Sequence, residues 1–413
     1  YQCDWSSDVC SSDLGMIERT IAPVLRKLAE TYPVVTLTGP RQSGKTTLCR
    51  SVFPELPYVN LEAPDVRVVA QEDPRGFLAR IPEGAVLDEI QRVPELASYL
   101  QSIVDEMKWR NIPVRYILTG SQQFEVTRSV NQSLAGRTAL LRLLPLSIEE
   151  ISSSAKPTDP DQLLLSGFYP RVHGEGIAAS QLLGDYLETY IERDIRQLNE
   201  LRDLSTFEKF VRLCAGRVGQ VLNMNSLAGD AGISHSTVKA WLSLLEASYV
   251  VFLLRPWFGN VSKRLIKSPK LFFYDVGLAT YLLGIQTAQQ MERDPLRGSL
   301  FENMVVVEVL KYRFNRGERS NLYYYRDSRG HEVDLLVDAG GKLFPIEVKA
   351  GATIVKDFFS SIEKLERMLG EKSCAGGGVV YGGIDSYTFR NHSVTSYNSI
   401  HRLMSDICGG ATA

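Results

Sequence analysis

The sequence predicts an α/β protein: a parallel sheet with helices on both faces, then a helical region, then a second, smaller α/β unit. Three observations predict it. Between Met16 and about Glu150, five apolar strand-like runs alternate with helical ones: Val34 to Thr38, Tyr58 to Leu61, Ala85 to Asp88, Val114 to Thr119 and Ala139 to Leu143. Strands separated by helices imply a parallel sheet. From Gln162 to about Lys209 the periodicity turns helical, and from Pro295 to about Tyr387 strand and helix patterns return together. Between the runs a polar stretch, Ser152 to Asp161, reads as a linker or loop, and no internal repeat or low-complexity segment interrupts the chain.

Composition bounds the function classes. At 413 residues, 44% hydrophobic and 23% charged, the chain has room for two to four domains, each with its own core. Its net charge of -2 gives no overall attraction to polyanions, so any DNA-facing surface must be a local basic patch. Apolar runs such as Val250 to Leu254 fall far short of the roughly 20 residues that span a bilayer, so no membrane partner is expected. Cys49, Cys214, Cys374 and Cys408 lie scattered without CxxC spacing, which predicts reduced thiols and a cytoplasmic location. The opening YQCDWSSDVCSSDL lacks the basic and apolar regions of a signal peptide and resembles a translated sequencing-adapter tag. Residues 1–15 are therefore expected to be foreign, with Met16 as the start.

The first sheet carries a phosphate-binding signature. The run VVTLT leads into GPRQSGKTT, Gly39, Pro40, Arg41, Gln42, Ser43, Gly44, Lys45, Thr46 and Thr47, and then a helix, which is GxxxxGK[ST] in its strand-loop-helix context. Glycines let successive N–H groups and the helix N-terminus face phosphates. Lys45 is expected to reach the β- and γ-phosphates of ATP and the Thr46 hydroxyl to ligate Mg2+. In AVLDEIQRVPEL, Asp88 at the end of an apolar strand is expected to hold the ion and Glu89 to activate water. A third strand, RYILTGS, ends in Thr119 and Ser121, which either sense the γ-phosphate or merely cap a turn. Arg137, in SLAGRT, is either an arginine finger, within the chain or on a neighbour, or a surface arginine.

Further along, NSLAGDAGISHSTVKAWLSLLEASYVVFLL has the spacing of a helix-turn-helix followed by a strand able to form a wing. Leu227, Ala228, Ile233, Val238, Leu242 and Leu245 supply the packed positions, Gly232 the turn and Ser234 the cap of the second helix. Its exposed face offers mainly His235, Ser236 and Lys239, thin for reading base edges. DNA contact and a protein-binding or structural role both stay open. The stripe Arg255, Lys263, Arg264, Lys267 and Lys270 suits phosphates or a solvated loop face.

The segment HEVDLLVDAGGKLFPIEVKAG reads as a hairpin on a Gly340–Gly341 loop. That register puts Asp334 opposite Glu347, like charges about 5 Å apart that need compensation. Lys349 shares a strand face with Glu347. A second Mg2+ or Mn2+ would relieve the repulsion and activate water. Bland alternatives stand beside this reading. Ser299 and Glu302 fit a helix capping box, Glu332 opposite Lys349 an ordinary ion pair, and Pro345 an edge strand or bulge that would shift the register.

Two resemblances attach to these motifs. GPRQSGKTT, VLDEIQRVPEL, ILTGSQQF, SLAGRT and LPLSIEE, in this order, resemble the AAA-type ATPases of a large prokaryotic family of ATP-binding proteins. The likeness continues through YLETYIERDI, FGNVSKRLIKSPKLFFYDVGLATYLLG and GSLFENMVVVEVL, similar to the domain of unknown function that follows that ATPase. It implies nucleotide binding. Asp334 followed by Glu347-x-Lys349 resembles the PD-(D/E)XK nucleases, in which a glutamate on the preceding helix completes the site. Glu302 is the matching position, whereas Val333 stands where the motif has proline. The expected division is a P-loop AAA-type ATPase domain over 16–150, a helical lid or linker over 151–209, a winged-helix-like region over 210–294, a nuclease-like α/β domain over 295–390 and a C-terminal tail over 391–413. The resulting expectation is an ATPase whose nucleotide state governs a DNA-acting C-terminal domain. Its rivals are a switch acting on a protein partner, with an inert scaffold at the C-terminus, and a DNA-binding regulator. The charged helix from Tyr186 to Asp203 suits a partner or a second copy of the chain.

Overall fold

The computed structural model describes residues 17–121, 133–153, 159–191, 204–257, 267–370 and 373–409. Helix α1 (Ala22–Thr31) precedes β1 (Val34–Thr38), α2 (Lys45–Val52), β2 (Tyr58–Asn60), α3 (Pro64–Glu72), α4 (Pro74–Ala79), β3 (Gly84–Asp88), α5 (Leu96–Trp109), β4 (Arg115–Gly120) and β5 (Thr138–Arg142). The five strands form one parallel sheet in the order β2-β3-β4-β1-β5. Alternate residues of β1, β3 and β4 feed two cores. Val34, Leu87, Tyr116 and Leu118 pack on Leu96 and Leu100 of α5, while Val35, Leu37, Val86 and Ile117 pack on Leu25 of α1 and Leu48 of α2. Both faces are therefore helix-covered, the reason these strands read as apolar runs. Because β1 lies beside β4, and β4 beside β3, the C-terminal ends of all three open on one edge, where parallel sheets bind ligands.

Helices α6 (Ile148–Ser152), α7 (Pro160–Ser166), α8 (Pro170–Gly174), α9 (Ala179–Tyr186) and α10 (Leu204–Ala215) follow. The charged stretch from residue 192 to 203 lies outside the described residues. Next come α11 (Met224–Ala231) and α12 (His235–Ala247), joined by a turn at Gly232, whose φ of 74° closes α11. Ser234 accepts from the Thr237 N–H to cap α12. Strands β6 (Val251–Leu254) and β7 (Lys270–Phe273) then pair antiparallel. Lys263 and Arg264 lie outside the described residues.

The chain continues as α13 (Val276–Leu282), α14 (Ala288–Arg293), α15 (Arg297–Asn315), β8 (Leu322–Arg326), β9 (Glu332–Ala339), β10 (Lys342–Lys349), α16 (Ser360–Leu369), β11 (Gly378–Tyr381), β12 (Tyr387–Phe389), β13 (His392–Ser396) and α17 (Ile400–Gly409). These strands form a mixed sheet in the order β12-β13-β11-β10-β9-β8. Gly340 and Gly341 both have positive φ, 67° and 90°, as a two-residue hairpin loop of this kind requires. Lys342 faces Ala339 and Ile346 faces Leu335, so the register is unshifted.

Two expectations are corrected. Pro345 marks neither an edge nor a bulge, since β10 lies between β9 and β11. It falls between the isolated Leu343–Cys374 bridge and the start of the β11 ladder at Ile346, where no N–H is required. Residues 391–413 are not merely a tail: β13 pairs with β11, and Ile400, Leu403 and Met404 of α17 are buried. One apolar cluster runs from Leu144 through the helical region, the helix-turn-helix and the mixed sheet to Met404. The four described cysteines are free thiols, and no helix among the described residues is long and apolar enough to cross a membrane.

Candidate nucleotide site and a C-terminal charge cluster

At the open edge of the parallel sheet the loop after β1 turns tightly. A Cβ at Gly39 would lie 2.0 Å from the Leu143 carbonyl oxygen, so only glycine fits. Gly44, with φ 88°, turns left-handed into α2. Lys45 is buried and donates to the carbonyls of Gly39 (3.0 Å) and Pro40 (2.7 Å), placing its ammonium inside the loop. Burial pulls the Lys45 pKa below its ordinary value, while Glu89 and Asp88 act against that shift.

Asp88 gathers three hydroxyls. Thr46 donates to its Oδ2 at 2.8 Å, Tyr58 to the same oxygen at 2.6 Å, and Thr119 to Oδ1. Glu89, the next residue, has a left-handed backbone, φ 58° and ψ 48°, a conformation that costs a non-glycine residue energy and clusters at functional sites. Its carboxylate accepts from Ser121 at 3.0 Å and from the Gln91 amide. Lys45, Thr46, Asp88, Glu89, Thr119 and Ser121 thus come together at one sheet edge. Pro40, Arg41, Gln42, Ser43 and Thr47 complete the loop and the first turn of α2, with Gln42 also left-handed at φ 60°. Thr46 and Asp88 form a hydroxyl–carboxylate pair suited in position and chemistry to Mg2+.

Arg137 stands elsewhere. The adjacent Thr138 pairs with Val34, the first residue of β1, at the sheet edge remote from the loop by the strand's length of roughly 16 Å. Its guanidinium holds Asp105 bidentately at 2.6 and 2.8 Å. A finger acting within the chain is therefore excluded in this arrangement.

Sequence reasoning missed the residues behind the loop. Arg19, buried just before α1, donates to the carbonyls of Ser43 and Leu144, both at 2.7 Å, and pairs with Glu150 at 3.2 Å. Glu150 also caps α6 through the Ser147 box. From the other side, Glu308 of α15 accepts from the Ile148 N–H at 2.8 Å, and Lys311 donates to the Leu146 carbonyl at 2.6 Å and to Glu308 at 2.7 Å. The segment from Leu144 to Glu150 is thus bonded to the phosphate-loop side by Arg19 and to α15 by Glu308 and Lys311.

Helix α15 also carries Glu302, and here Asp334, Glu347 and Lys349 converge. Asp334 Oδ2 accepts from the Val348 N–H at 2.9 Å. Lys349 lies 2.9 Å from Glu347 and 3.9 Å from Asp334. The hub is a residue that sequence reasoning placed on a basic stripe facing phosphates or solvent. Lys270 of β7 is only 2% exposed and sits 2.8 Å from Glu302, 2.5 Å from Glu332 and 4.0 Å from Asp334. Arg255 and Lys267 do face solvent. Glu332 pairs with Lys270 and Arg326, not Lys349. The Ser299–Glu302 capping box does not form, because α15 begins earlier, at Arg297, with no side-chain cap.

Burial pushes the Glu302 carboxyl up to about 8 and the Glu347 carboxyl up to about 7. Asp334 adds to both shifts, against the lysines. Burial alone would lower the Lys349 pKa, but Asp334 and Glu347 raise it. Glu347 Oε2 is buried without a hydrogen-bond partner. Among the described residues no three His, Cys, Asp or Glu side chains are arranged to hold a metal ion, so the cluster as folded does not fit the second cation expected from sequence.

Sheet order, phosphate loop and the Asp88–Glu89 edge together have the arrangement of a P-loop nucleotide-binding domain. Residues 31–152 match the family described as AAA domain, 157–289 the domain of unknown function DUF8612 and 297–400 the domain of unknown function DUF4143. Uncharacterized protein Rv2008c of Mycobacterium tuberculosis and Uncharacterized protein Mb2031c of Mycobacterium bovis are each 33% identical over 344 residues, 82% of this chain and 75% of theirs. The chain belongs to their family. Among solved structures, the Walker-type ATPase PABY2304 of Pyrococcus abyssi aligns at TM-score 0.41 and 17% identity, covering 65% of this chain and 96% of that one. The T158V form of Thermotoga maritima RuvB aligns at TM-score 0.30 and 16% identity, covering 57% and 88%.

Proposed function

We propose that the protein is a Mg2+-dependent ATPase whose nucleotide state is passed to a nuclease-like, DNA-acting C-terminal domain. The observation that carries it is the brace from Leu144 to Glu150, bonded by Arg19 to the phosphate loop and by Glu308 and Lys311 to the helix bearing Glu302. Bound Mg2+ supplies charge neutralisation at the β- and γ-phosphoryl oxygens, and Thr46 and Asp88 would hold it. The chain's own groups do the rest. Lys45 exchanges two loop carbonyls for phosphate oxygens, the loop N–H groups orient the triphosphate, and Glu89 orients the attacking water. Thr119 and Ser121, bonded to Asp88 and Glu89, are candidates to report the γ-phosphate to β4. Arg137 remains a candidate finger only toward a neighbouring chain.

In the C-terminal domain, Glu302, Asp334, Glu347 and Lys349 are the candidate nuclease residues. The α11–α12 pair with its β6–β7 hairpin, read as a winged helix, is the candidate DNA contact. A second reading, a switch acting on a protein partner over an inert scaffold, draws support from the ion pairing of those carboxylates with lysines.

The test is to incubate the chain from Met16 with DNA and Mg2+ or Mn2+, with and without ATP. Lys45→Ala is expected to lose nucleotide binding, and retained hydrolysis would overturn the ATPase assignment. Asp334→Ala and Lys349→Ala are expected to lose cleavage with ATP hydrolysis intact. No cleavage of any DNA form by the wild type leaves the switch as the reading.

A further inference from the structure

Helix α12 ends on an unusual residue. The Val250 N–H donates to the Leu245 carbonyl at 2.9 Å and the Tyr249 N–H to the Glu246 carbonyl at 3.1 Å, a closure that ordinarily places glycine in the left-handed position. Helix α11 closes that way with Gly232. At the end of α12 the left-handed residue is Tyr249, with φ 56°, a conformation that persists in a bulky residue only where its surroundings fix it. The side chain is 1% exposed, with its ring centre 5.4 Å from that of Tyr274. Its hydroxyl lies 2.7 Å from Thr38 Oγ1. Thr38 is the last residue of β1, and the next residue, Gly39, opens the phosphate loop and accepts from Lys45. Thr38 also donates to the Leu141 carbonyl at 3.3 Å, which leaves Tyr249 as the donor in the pair. Burial pushes the Tyr249 phenol up to about 12, against Thr38 and Arg142, so the proton it donates is retained at neutral pH.

We propose that Tyr249 is a positioning residue of the nucleotide site: its hydroxyl, supplied by the helix-turn-helix region, holds the end of β1 and sets the phosphate loop before ATP arrives. The inference rests on the reading of Gly39 to Thr47 as the ATP site. The hydroxyl is supported from behind. The Tyr274 N–H donates to the Val250 carbonyl at 3.1 Å, and β6 and β7 continue from these residues as a hairpin. Phe273 exchanges two bonds with Asn303 of α15, at 2.7 and 3.0 Å. Beyond β6, the Trp257 N–H donates to the Tyr324 carbonyl of β8 at 2.8 Å, and the Tyr324 N–H to the Arg255 carbonyl at 3.1 Å. The hairpin is thus fixed to α15 and β8, and Tyr249 stands at the end that meets the phosphate loop. A loop already in its binding shape costs less to order, so losing the hydroxyl lowers the competent fraction and raises the apparent Kd by that factor. Glu89, held on β3 by Gln91 and Ser121, is untouched by the change, so turnover of bound ATP persists.

The experiment measures, on the full chain with Mg2+, the Kd of a fluorescent ATP analogue, the kcat for ATP and the melting temperature. Tyr249→Phe keeps the ring, and Thr38 keeps its bond to Leu141, so the melting temperature should stay near that of wild type. Kd is expected to rise roughly fivefold, the effect of one such bond, with kcat within about twofold of wild type. Thr38→Val removes the bond from the other side and should weaken binding at least as much. Adding Tyr249→Phe to Thr38→Val should then change nothing further, because the hydroxyl has already lost its acceptor. An unchanged Kd in Tyr249→Phe overturns the inference, as does a further loss in the double variant. So does a kcat that falls together with the melting temperature, the mark of a general loosening. Should either single variant not fold, the other decides by the same criteria. A wild type that neither binds nor hydrolyses ATP removes the ATPase reading itself, whereas wild-type turnover with Tyr249→Phe indistinguishable from it removes only the positioning role.

Discussion

Glu89 sits in left-handed backbone one residue beyond β3, held there by Gln91 and Ser121, so its carboxylate is fixed before any water arrives. A residue that orients or deprotonates the nucleophile contributes roughly 10²–10⁴-fold to a rate. Glu89→Gln is accordingly expected to lower the ATP turnover number by about that factor while nucleotide affinity, read with a fluorescent ATP analogue, stays near wild type. Equal loss of both would make Glu89 a binding residue. Gly39 gives a second prediction at this scale. A methyl group there collides with the Leu143 carbonyl, so Gly39→Ala should cost about 1–3 kcal/mol of stability, seen in the urea midpoint, and weaken ATP binding with it.

The brace from Leu144 to Glu150 owes its position to groups buried on both sides, and the pair on α15 is its vulnerable part. Lys311→Met leaves Glu308 buried beside Ile148 without its cation, a change that costs about 3–5 kcal/mol in comparable settings. Glu308→Gln/Lys311→Met removes both charges and should recover most of that loss. A double variant as unstable as the single one would mean that the pair acts through packing, as the Lys311 ammonium 3.8 Å from the Phe168 ring centre allows. None of this was legible in LPLSIEE, because Arg19, Glu308 and Lys311 are distant in sequence and nothing local marks them as partners. What was legible is local. The five strands of the first sheet announced themselves as apolar runs between helices, the phosphate loop by its glycines, and the β9–β10 register by Gly340–Gly341. Lys270 failed for the converse reason: among Arg255, Lys263, Arg264 and Lys267 it looked like one more solvated cation, and only tertiary contact with Glu302 and Glu332 turns it inward.

Across the whole molecule, the core that runs from Leu144 to Met404 makes the helical region, the helix-turn-helix and the mixed sheet interdependent, so a charge imbalance at their joint is expressed in the stability of all three. The cluster carries four carboxylates against three cations and relieves the excess by holding a proton, consistent with a Glu302 carboxyl near 8 and a Glu347 carboxyl near 7. Both lie above the ordinary value of 4.5, so between those limits the folded state binds more protons than the unfolded one. Stability must then fall as pH rises. This contribution is fully present below about 4.5 and is lost as pH passes through about 7 to about 8. Urea midpoints taken across that window should therefore decline with pH in wild type. Glu302→Gln and Glu347→Gln, which are neutral throughout, should each flatten the decline. A wild-type midpoint that stayed flat over the same window, with no change in either variant, would mean that the lysines hold both glutamates ionised and that the cluster is charge-balanced by ion pairing alone.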